Sequence, residues 1–221
     1  MPWDVMNIIG TIAFAVSGAI VAMEERYDIL GVFVLGFATA FGGGIVRNLL
    51  IGLPIPSVWG QSLLFKVALI SMVFIFFSPV RWIKRSFRLM NLFDAIGLSA
   101  FAIQGGLYAY QTHHGIAAVI AASVMTGVGG GMIRDVLAKR KPLVLREEIY
   151  AVWAVAAGVV IGLGWVQSAY ALYILFVLVV SFRMISLYFH WQLPVRQLPH
   201  FNPVNPINSG TGEPTSDHLD M

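Results

Sequence analysis

Long apolar stretches separated by short polar segments follow one another along most of the chain. An α-helix needs about 20 apolar residues to cross the hydrocarbon core of a bilayer. The pattern predicts seven transmembrane helices, at residues 5–23, 30–51, 62–79, 89–110, 115–137, 149–166 and 168–190. Only Gly164 to Ala169 separates the last two stretches, and one helix through both would be too long for a single crossing, so we expect a tight turn there.

The composition also indicates a membrane protein. Of the 221 residues, 58% are hydrophobic and 11% are charged, whereas a soluble domain of this length needs a larger polar surface. The mean hydropathy is +0.79. The pI near 9.3 does not indicate a nucleic-acid partner, because the basic residues lie between apolar stretches and form no basic patch. The absence of Cys excludes disulfides and thiolate metal sites.

The basic residues predict how the chain is oriented, because cytoplasmic loops carry an excess of Lys and Arg. If the N-terminus lies outside, only Arg47 and Lys66 fall on the outer side. The other basic residues then fall on the inner side: Arg26, Arg81, Lys84, Arg85, Arg88, Arg134, Lys139, Arg140, Lys141, Arg146, Arg183 and Arg196. We therefore expect the N-terminus outside and the C-terminus in the cytoplasm.

One segment occurs twice in the chain. Residues 39–48 read TAFGGGIVRN and residues 126–135 read TGVGGGMIRD, an offset of 87 residues. The same offset superposes five earlier residues on five later ones without a gap: Gly10, Ala13, Phe14, Ala15 and Gly18 on Gly97, Ala100, Phe101, Ala102 and Gly105. We interpret this as an internal duplication.

The duplication predicts the domain organisation. Each repeat holds three helices, an odd number, so the second copy enters the membrane from the opposite side and the repeat is inverted. We expect a first repeat at 1–80, a second at 89–166 and an extra seventh helix at 168–191 that serves packing. Residues 192–221 are rich in Pro, Asn, Ser and Gly, which predicts a disordered cytoplasmic tail.

The glycine triplets are the candidate pore and gate. They comprise Gly42, Gly43 and Gly44 in the first repeat and Gly129, Gly130 and Gly131 in the second. Each Gly inside a helix costs about 1 kcal/mol relative to Ala, and three in a row point around most of the helix circumference. One interpretation is close helix packing, which small residues allow. The other is a loosened helix whose freed carbonyls line a cavity, and mirrored breaks of this kind indicate a midplane permeation site.

Polar residues beside the triplets extend this candidate site. Thr39 and Thr126 each lie about one turn before a triplet and are further pore candidates, whereas Ser99 and Ser123 are expected to bond to their own backbone. Arg47 and Arg134 follow the triplets by three residues. Either they snorkel from the helix ends, or each guards one mouth of a pathway, since a charge in the bilayer is costly.

The charged mouth residues differ between the repeats. Asp135 adjoins Arg134, and Asp94 falls where it can compensate the same charge. At the offset of 87, Asn7 stands where Asp94 does and Asn48 where Asp135 does. The inner mouth is therefore expected to attract cations more strongly.

No motif for catalysis or for a resident metal was found. His113 and His114 are adjacent in a predicted loop, but no carboxylate or Cys completes a metal site with them. No nucleophile-elbow serine and no phosphate-binding glycine loop is present. We therefore expect no enzymatic activity and no cofactor, with K⁺ or Na⁺ as permeating ions.

The two Gly-Gly-Gly-x-x-Arg-Asp type motifs, on the second and fifth of seven helices, resemble the bacterial members of the trimeric intracellular cation (TRIC) channel family. The same domain is also known as a putative glycine transporter domain. The resemblance implies a homotrimer in the bacterial inner membrane, with a separate pore in each protomer, lined by helices kinked at the glycine triplets, that passes monovalent cations, above all potassium. Asn48 departs from the motif, which has Asp at this position.

Three hypotheses remain at this stage. The leading one is a passive potassium-permeable cation channel surrounded by membrane lipids. The alternative is a secondary transporter of a small solute such as glycine, which an inverted repeat fits equally well. A structural membrane protein without transport activity would leave the doubled triplets without a purpose.

Overall fold

The computed structural model describes residues 2–50, 60–79, 86–145, 149–166 and 168–191. These residues form seven α-helices and one short 3₁₀ turn at Leu143–Leu145. The helices are α1 (Pro2–Glu24), α2 (Ile29–Leu50), α3 (Ser62–Phe76), α4 (Ser86–Gln111), α5 (Ile116–Leu137), α6 (Ala151–Gly162) and α7 (Ala169–Tyr188). The expected tail at 192–221 lies outside the described residues.

The all-α prediction is confirmed, and five of the seven helices are long and apolar enough to cross a membrane. These are α1, α2, α4, α5 and α7. The other two are apolar but shorter, since α3 has 15 residues and α6 has 12. At 1.5 Å per residue, α6 spans about 18 Å, which is less than the roughly 30 Å hydrocarbon core of a bilayer.

The sixth helix begins later than the apolar pattern predicts. Ile149 and Tyr150 are not helical, because tertiary contacts occupy the backbone groups of Ile149. Its N–H donates to the Trp191 carbonyl (3.4 Å), and its carbonyl accepts from Arg183 Nη1 (3.3 Å). At the other end of α6 the chain turns at Gly164, which has φ +72°. The tight turn expected between the last two helices is therefore present.

Four helices form the centre of the bundle. α1 packs against α2 and α4, and α5 packs against the same two helices. α3 lies against α1 and α2, whereas α6 lies against α4 and α5. Within the 18-residue apolar segment that could span a membrane, 72% is buried in α1 and in α4, but only 22% is buried in α7. α7 is therefore peripheral and packs on α4 and α6, which agrees with its expected packing role.

The ends of α1 and α5 are tied together by a salt bridge cluster. Arg140 Nη1 lies 2.8 Å from Glu24 Oε2, and Arg140 Nε lies 2.5 Å from Glu25 Oε1. Burial acts to lower the pKa of Arg140, but the hydrogen bonds to Glu24 and Glu25 outweigh it and leave that pKa above its ordinary value. The end of α1 and the segment after α5 are thus held at the same face of the bundle.

Candidate functional site

Both glycine triplets lie inside uninterrupted helices. α2 remains α-helical through Gly42–Gly44 and α5 through Gly129–Gly131. The prediction that the triplets break these helices is therefore wrong for this conformation. The physical reason is that α2 and α5 cross at the triplets, so that the missing side chains allow the two backbones to approach each other.

The contacts at this crossing show how close the approach is. A Cβ added to Gly43 would collide with the carbonyl oxygen of Thr126, and a Cβ added to Gly130 would collide with that of Thr39. A Cβ on Gly129 would lie 3.1 Å from Gly43 Cα. Backbone lies against backbone here, so the packing interpretation holds for the middle of each triplet.

The crossing contacts occur in reciprocal pairs. The 87-residue offset maps Gly43 onto Gly130 and Thr39 onto Thr126. The contact of Gly43 with Thr126 is therefore equivalent to that of Gly130 with Thr39. A second reciprocal set joins α1 to α4: a Cβ on Gly10 would lie 3.1 Å from the ring of Phe101, and a Cβ on Gly97 would collide with the ring of Phe14. The two repeats therefore contact each other through equivalent residues.

Thr39 and Thr126 are buried at this crossing, with 0% and 1% exposure. Each hydroxyl donates to the carbonyl oxygen one turn earlier, Thr39 to Leu35 and Thr126 to Ala122, both at 2.6 Å. Their hydroxyl hydrogens are therefore used within their own helices, and only the oxygen lone pairs can face an ion.

Arg134 lies at the centre of a buried charge cluster. Its Nη1 is 2.7 Å from Asp94 Oδ1 and its Nε is 2.8 Å from Asp135 Oδ1. Nη1 also donates to Ser17 Oγ (2.5 Å), and Asp135 Oδ2 accepts from the backbone N–H of Leu143 (3.0 Å). We call Ser17, Asp94, Arg134 and Asp135 the carboxylate cluster. The expected charge compensation of Arg134 by both carboxylates is confirmed.

The snorkelling interpretation fails for both arginines, because Arg134 is 0% exposed and Arg47 is 9% exposed. Arg47 has a different environment from Arg134. Its Nε and Nη2 donate to Asn48 Oδ1 (3.2 and 3.1 Å), and its guanidinium lies 4.9 Å from the ring centroid of Tyr108. Among the described residues, Arg47 Nη1 has no hydrogen-bond partner. Arg47 is thus contacted by an amide and an aromatic ring, whereas Arg134 is contacted by two carboxylates.

A small polar cavity of about 40 Å³ opens beside Arg47. We call it the amide cavity, because amide side chains dominate its polar lining. It is lined by Asn7, Thr11, Ala40, Phe41, Gly44, Arg47, Asn48, Gln61, Phe101 and Gln104. A cavity of this size holds at least one water molecule. Asn7 and Ser17 are ten residues apart on α1, so the amide cavity and the carboxylate cluster are separated by about 15 Å along that helix.

The third glycine of each triplet shows how the two regions differ. Among the described residues, a Cβ on Gly44 would find only Arg47 Nη2 within 4 Å, at 3.9 Å. A Cβ on Gly131, the equivalent position, would lie 2.8 Å from the Tyr150 hydroxyl and 3.3 Å from Asp94 Oδ1. Space that is open beside Gly44 is therefore filled by Tyr150 beside Gly131.

Sequence reasoning missed Tyr150 and misassigned Arg183. We counted Arg183 as a topology signal on the inner side, but it is 1% exposed within α7. Its guanidinium lies 4.7 Å from the ring centroid of Tyr150. An arginine inside an apolar helix is itself a signal of a buried partner. Nothing in the local sequence of Tyr150 distinguishes it from an interfacial aromatic residue.

The remaining polar residues have mixed outcomes. Ser99 Oγ donates to the Ala95 carbonyl (2.7 Å) as expected. Ser123 Oγ has no hydrogen-bond partner among the described residues, so that expectation is wrong. Ser123 instead packs against two glycines, Gly106 and Gly158. Across the described ranges, no group of three His, Cys, Asp or Glu is placed to hold a metal ion.

Comparison with known proteins identifies the family. A family model described as "Glycine transporter" matches residues 4–79 and again residues 91–166, and the two matches are 87 residues apart. "UPF0126 membrane protein YvgT" of Bacillus subtilis is 56% identical over 196 residues, covering 89% of this chain and 97% of that protein. "UPF0126 inner membrane protein YadS" of Escherichia coli K12 is 36% identical over 156 residues, covering 70% and 75%.

Solved structures give the same result in three dimensions. The chain is similar to one described as "Crystal structure of a prokaryotic TRIC channel in 0.5 M KCl", with a TM-score of 0.78, 30% identity and coverage of 86% of this chain and 98% of that one. A second, described as "Structural basis for conductance through TRIC cation channels", has a TM-score of 0.77, 36% identity and coverage of 89% and 98%. Because the family model covers both repeats and the fold matches TRIC channels that are 30% and 36% identical, this chain belongs to the bacterial branch of the TRIC channel family, whose repeated domain is described as a glycine transporter domain.

Proposed function

We propose that the protein is a passive, potassium-permeable channel with one pathway through each protomer of a homotrimer. The observation that carries the proposal is the placement of two buried polar regions at either side of one glycine-lined helix crossing. The amide cavity lies beside the triplet of α2 and the carboxylate cluster beside that of α5. Ionisable groups buried within membrane-spanning helices are costly, and in membrane proteins they commonly mark an ion or substrate pathway.

The gate of this pathway is the crossing of α2 and α5. With Gly43 against the Thr126 carbonyl and Gly130 against the Thr39 carbonyl, no room remains for an ion between the two backbones. The described conformation therefore corresponds to a closed channel. Opening requires α2 and α5 to separate, and glycine tolerates the backbone changes that this needs. The Thr39 and Thr126 carbonyls keep their intrahelical hydrogen bonds, and the remaining lone pair of each oxygen would then be exposed to replace part of an ion's hydration shell.

The two ends of the pathway differ in charge. The carboxylate cluster holds two carboxylates against one arginine, whereas the amide cavity holds Arg47 among neutral amides. Cations are therefore favoured at the carboxylate end, and the amide end offers neutral oxygens of the kind that coordinate K⁺ and Na⁺. Permeating monovalent cations are the only ligands in this mechanism, which includes no catalysis and no cofactor.

We infer that the two three-helix repeats are related by an inverted pseudo-two-fold axis. The reciprocal contacts of Gly43 with Gly130 and of Gly10 with Gly97 support this, because equivalent residues exchange across the crossing. The positive-inside bias supports an orientation with the amide cavity on the outer side and the carboxylate cluster on the cytoplasmic side of a bacterial inner membrane. The trimer is supported by a structural relative described as a "TRIC trimeric intracellular cation channel orthologue".

The second candidate is a secondary transporter, and the description of the matching family as "Glycine transporter" favours it. A cavity open on one side of a sealed crossing also fits one state of an alternating-access carrier. Coupled carriers usually place an ionisable residue near the midplane. Here Arg47, Arg134, Asp94 and Asp135 flank the crossing and leave the middle to glycine and threonine, which favours the channel.

Single-channel recording of the purified protein in a planar bilayer tests the choice. A channel gives discrete unitary currents whose reversal potential follows the potassium gradient. Absence of unitary currents, together with saturable uptake of labelled glycine into proteoliposomes, would establish the carrier instead. Absence of both activities in folded protein would leave a structural role.

A further inference from the structure

We propose that Tyr150 closes the carboxylate end of the pathway and that Arg183, on the peripheral helix α7, holds it closed. This inference rests on the proposed function, since it assigns residues that control one end of the same pathway. It gives α7, which lies outside the duplication, a role beyond packing.

The first argument is the space that Tyr150 fills. The Tyr150 hydroxyl lies where a side chain on Gly131 would be, beside Asp94. At the equivalent glycine of the other repeat, Gly44, the same space forms part of the amide cavity. The residue equivalent to Tyr150 is Leu63, which is 59% exposed on α3 and leaves that space open. Among the described residues, one end of the pathway is therefore open and the other is filled by this single aromatic side chain.

The second argument is what keeps the ring in place. Tyr150 is 2% exposed, yet its hydroxyl has no hydrogen-bond partner among the described residues. The hydroxyl faces Asp94 without a direct hydrogen bond, so another contact must contribute to holding the ring. The guanidinium of Arg183 lies 4.7 Å from the ring centroid, within the range of a cation–π contact, which is strongest when it is desolvated.

The third argument is that α7 and the residues directly after it also hold the backbone that carries Tyr150. Arg183 Nη1 donates to the Ile149 carbonyl, and the Trp191 carbonyl accepts from the Ile149 N–H. One turn into α6, Trp153 Nε1 donates to Ser186 Oγ (3.2 Å) and the Trp153 ring stacks on Phe182 with centroids 5.1 Å apart. A movement of α7 would thus carry Tyr150 with it.

The experiment uses Ser17→Cys as a reporter, because Ser17 belongs to the carboxylate cluster, is fully buried, and the chain has no Cys of its own. The reporter is labelled in proteoliposomes with a small cationic methanethiosulfonate reagent. Removal of the ring in Tyr150→Ala should raise the labelling rate, and Arg183→Gln should raise it roughly thirtyfold, the order expected from losing a desolvated cation–π contact. Tyr150→Phe and Arg183→Lys should remain near the parent rate, because the ring and the positive charge are kept.

The control is Tyr108→Ala, which removes the aromatic ring beside Arg47 and should leave labelling of the reporter unchanged. Arg183→Gln is the decisive variant, because it leaves the Tyr150 ring in the protein and creates no cavity at that position. Equal labelling of the parent, Tyr150→Ala and Arg183→Gln would overturn the inference. So would a rise in Arg183→Lys equal to that in Arg183→Gln, since the charge would then play no part.

Potassium flux is measured on the same proteoliposomes and separates the two proposals. If labelling rises as expected and flux rises with it, both are supported. If labelling rises but no variant conducts potassium, Tyr150 still closes that end of the protein and the channel proposal fails. If the parent conducts potassium and labelling does not respond to either residue, the channel proposal stands and the role of Tyr150 and Arg183 is wrong.

Discussion

The ring centroids of Phe14 and Phe101 lie 5.2 Å apart, and the planes of the two rings are tilted by 53°. The two residues are 87 positions apart, so each is the other's equivalent in the duplicated sequence. Phe14 faces Gly97 and Phe101 faces Gly10, which are also equivalent. The contact joins α1 to α4 at the centre of the bundle, where a residue packs against its own counterpart.

Adjacent glycines of one triplet should respond differently to the same substitution. Gly43→Ala places a methyl group against the Thr126 carbonyl, and overpacking of this kind costs about 1–3 kcal/mol. Gly44→Ala meets almost no neighbour and gains about 1 kcal/mol in helix propensity. Thermal unfolding in detergent should therefore show a lower Tm for Gly43→Ala and an unchanged or higher Tm for Gly44→Ala. Equal effects would contradict the close approach at Gly43.

Removing one carboxylate from the cluster should destabilise the protein strongly. Asp94→Asn leaves the fully buried Arg134 with Asp135 as its only ionic partner in the cluster, and breaking a buried ion pair costs about 3–5 kcal/mol. We expect a clear fall in Tm, measured by thermal unfolding. The control is Arg140→Gln, whose ion pairs are about a quarter exposed, and which should cost much less. A Tm for Asp94→Asn above that of the control would show that the ion pair of Asp94 with Arg134 does not stabilise the fold.

Replacing Asn48 with Asp, the residue found at the equivalent position 135, should give Arg47 an ionic partner. Asn48→Asp replaces the amide that accepts from Arg47 Nε and Nη2 with a charged acceptor, and hydrogen bonds between charged groups are roughly twice as strong as neutral ones. We expect a higher Tm, and a unitary potassium conductance that rises because the net charge of the amide cavity falls. Gln111→Glu, which is exposed at the end of α4 and lies outside the cavity, is the control for an added carboxylate. A conductance unchanged by Asn48→Asp would separate the cavity from the ion pathway.

The inferred orientation can be tested with single cysteines. Asn7→Cys lines the amide cavity and should react with a membrane-impermeant thiol reagent added outside whole cells. Lys139→Cys lies in an exposed turn after α5 and should react only once the cells are opened. Reaction of Lys139→Cys in intact cells, with Asn7→Cys protected, would reverse the orientation.

The sequence by itself determined the helical membrane fold and the duplication. Apolar stretches of membrane length must become helices, because a bilayer offers no other partner for backbone N–H and C=O groups. The offset of 87 residues is visible in the sequence alone. Asp94 and Asp135 are predicted partners of Arg134 because an arginine in a membrane helix requires a compensating charge. These inferences depend on composition and local spacing, which are properties of the chain alone.

Only the tertiary structure decided what the glycine triplets, Tyr150 and Arg183 do. Whether Gly43 loosens α2 or allows α5 to pack closely depends on which backbone lies opposite Gly43. That backbone belongs to Thr126, which is far away in the sequence. The difference between Gly44 and Gly131 arises because Tyr150 fills the space beside Gly131, whereas no residue in the described part of the chain fills the space beside Gly44. From the sequence, Arg183 is interpreted as a charge on the inner side. Its burial against Tyr150 is visible only in the structure, because burial depends on which residues of other helices pack around a side chain.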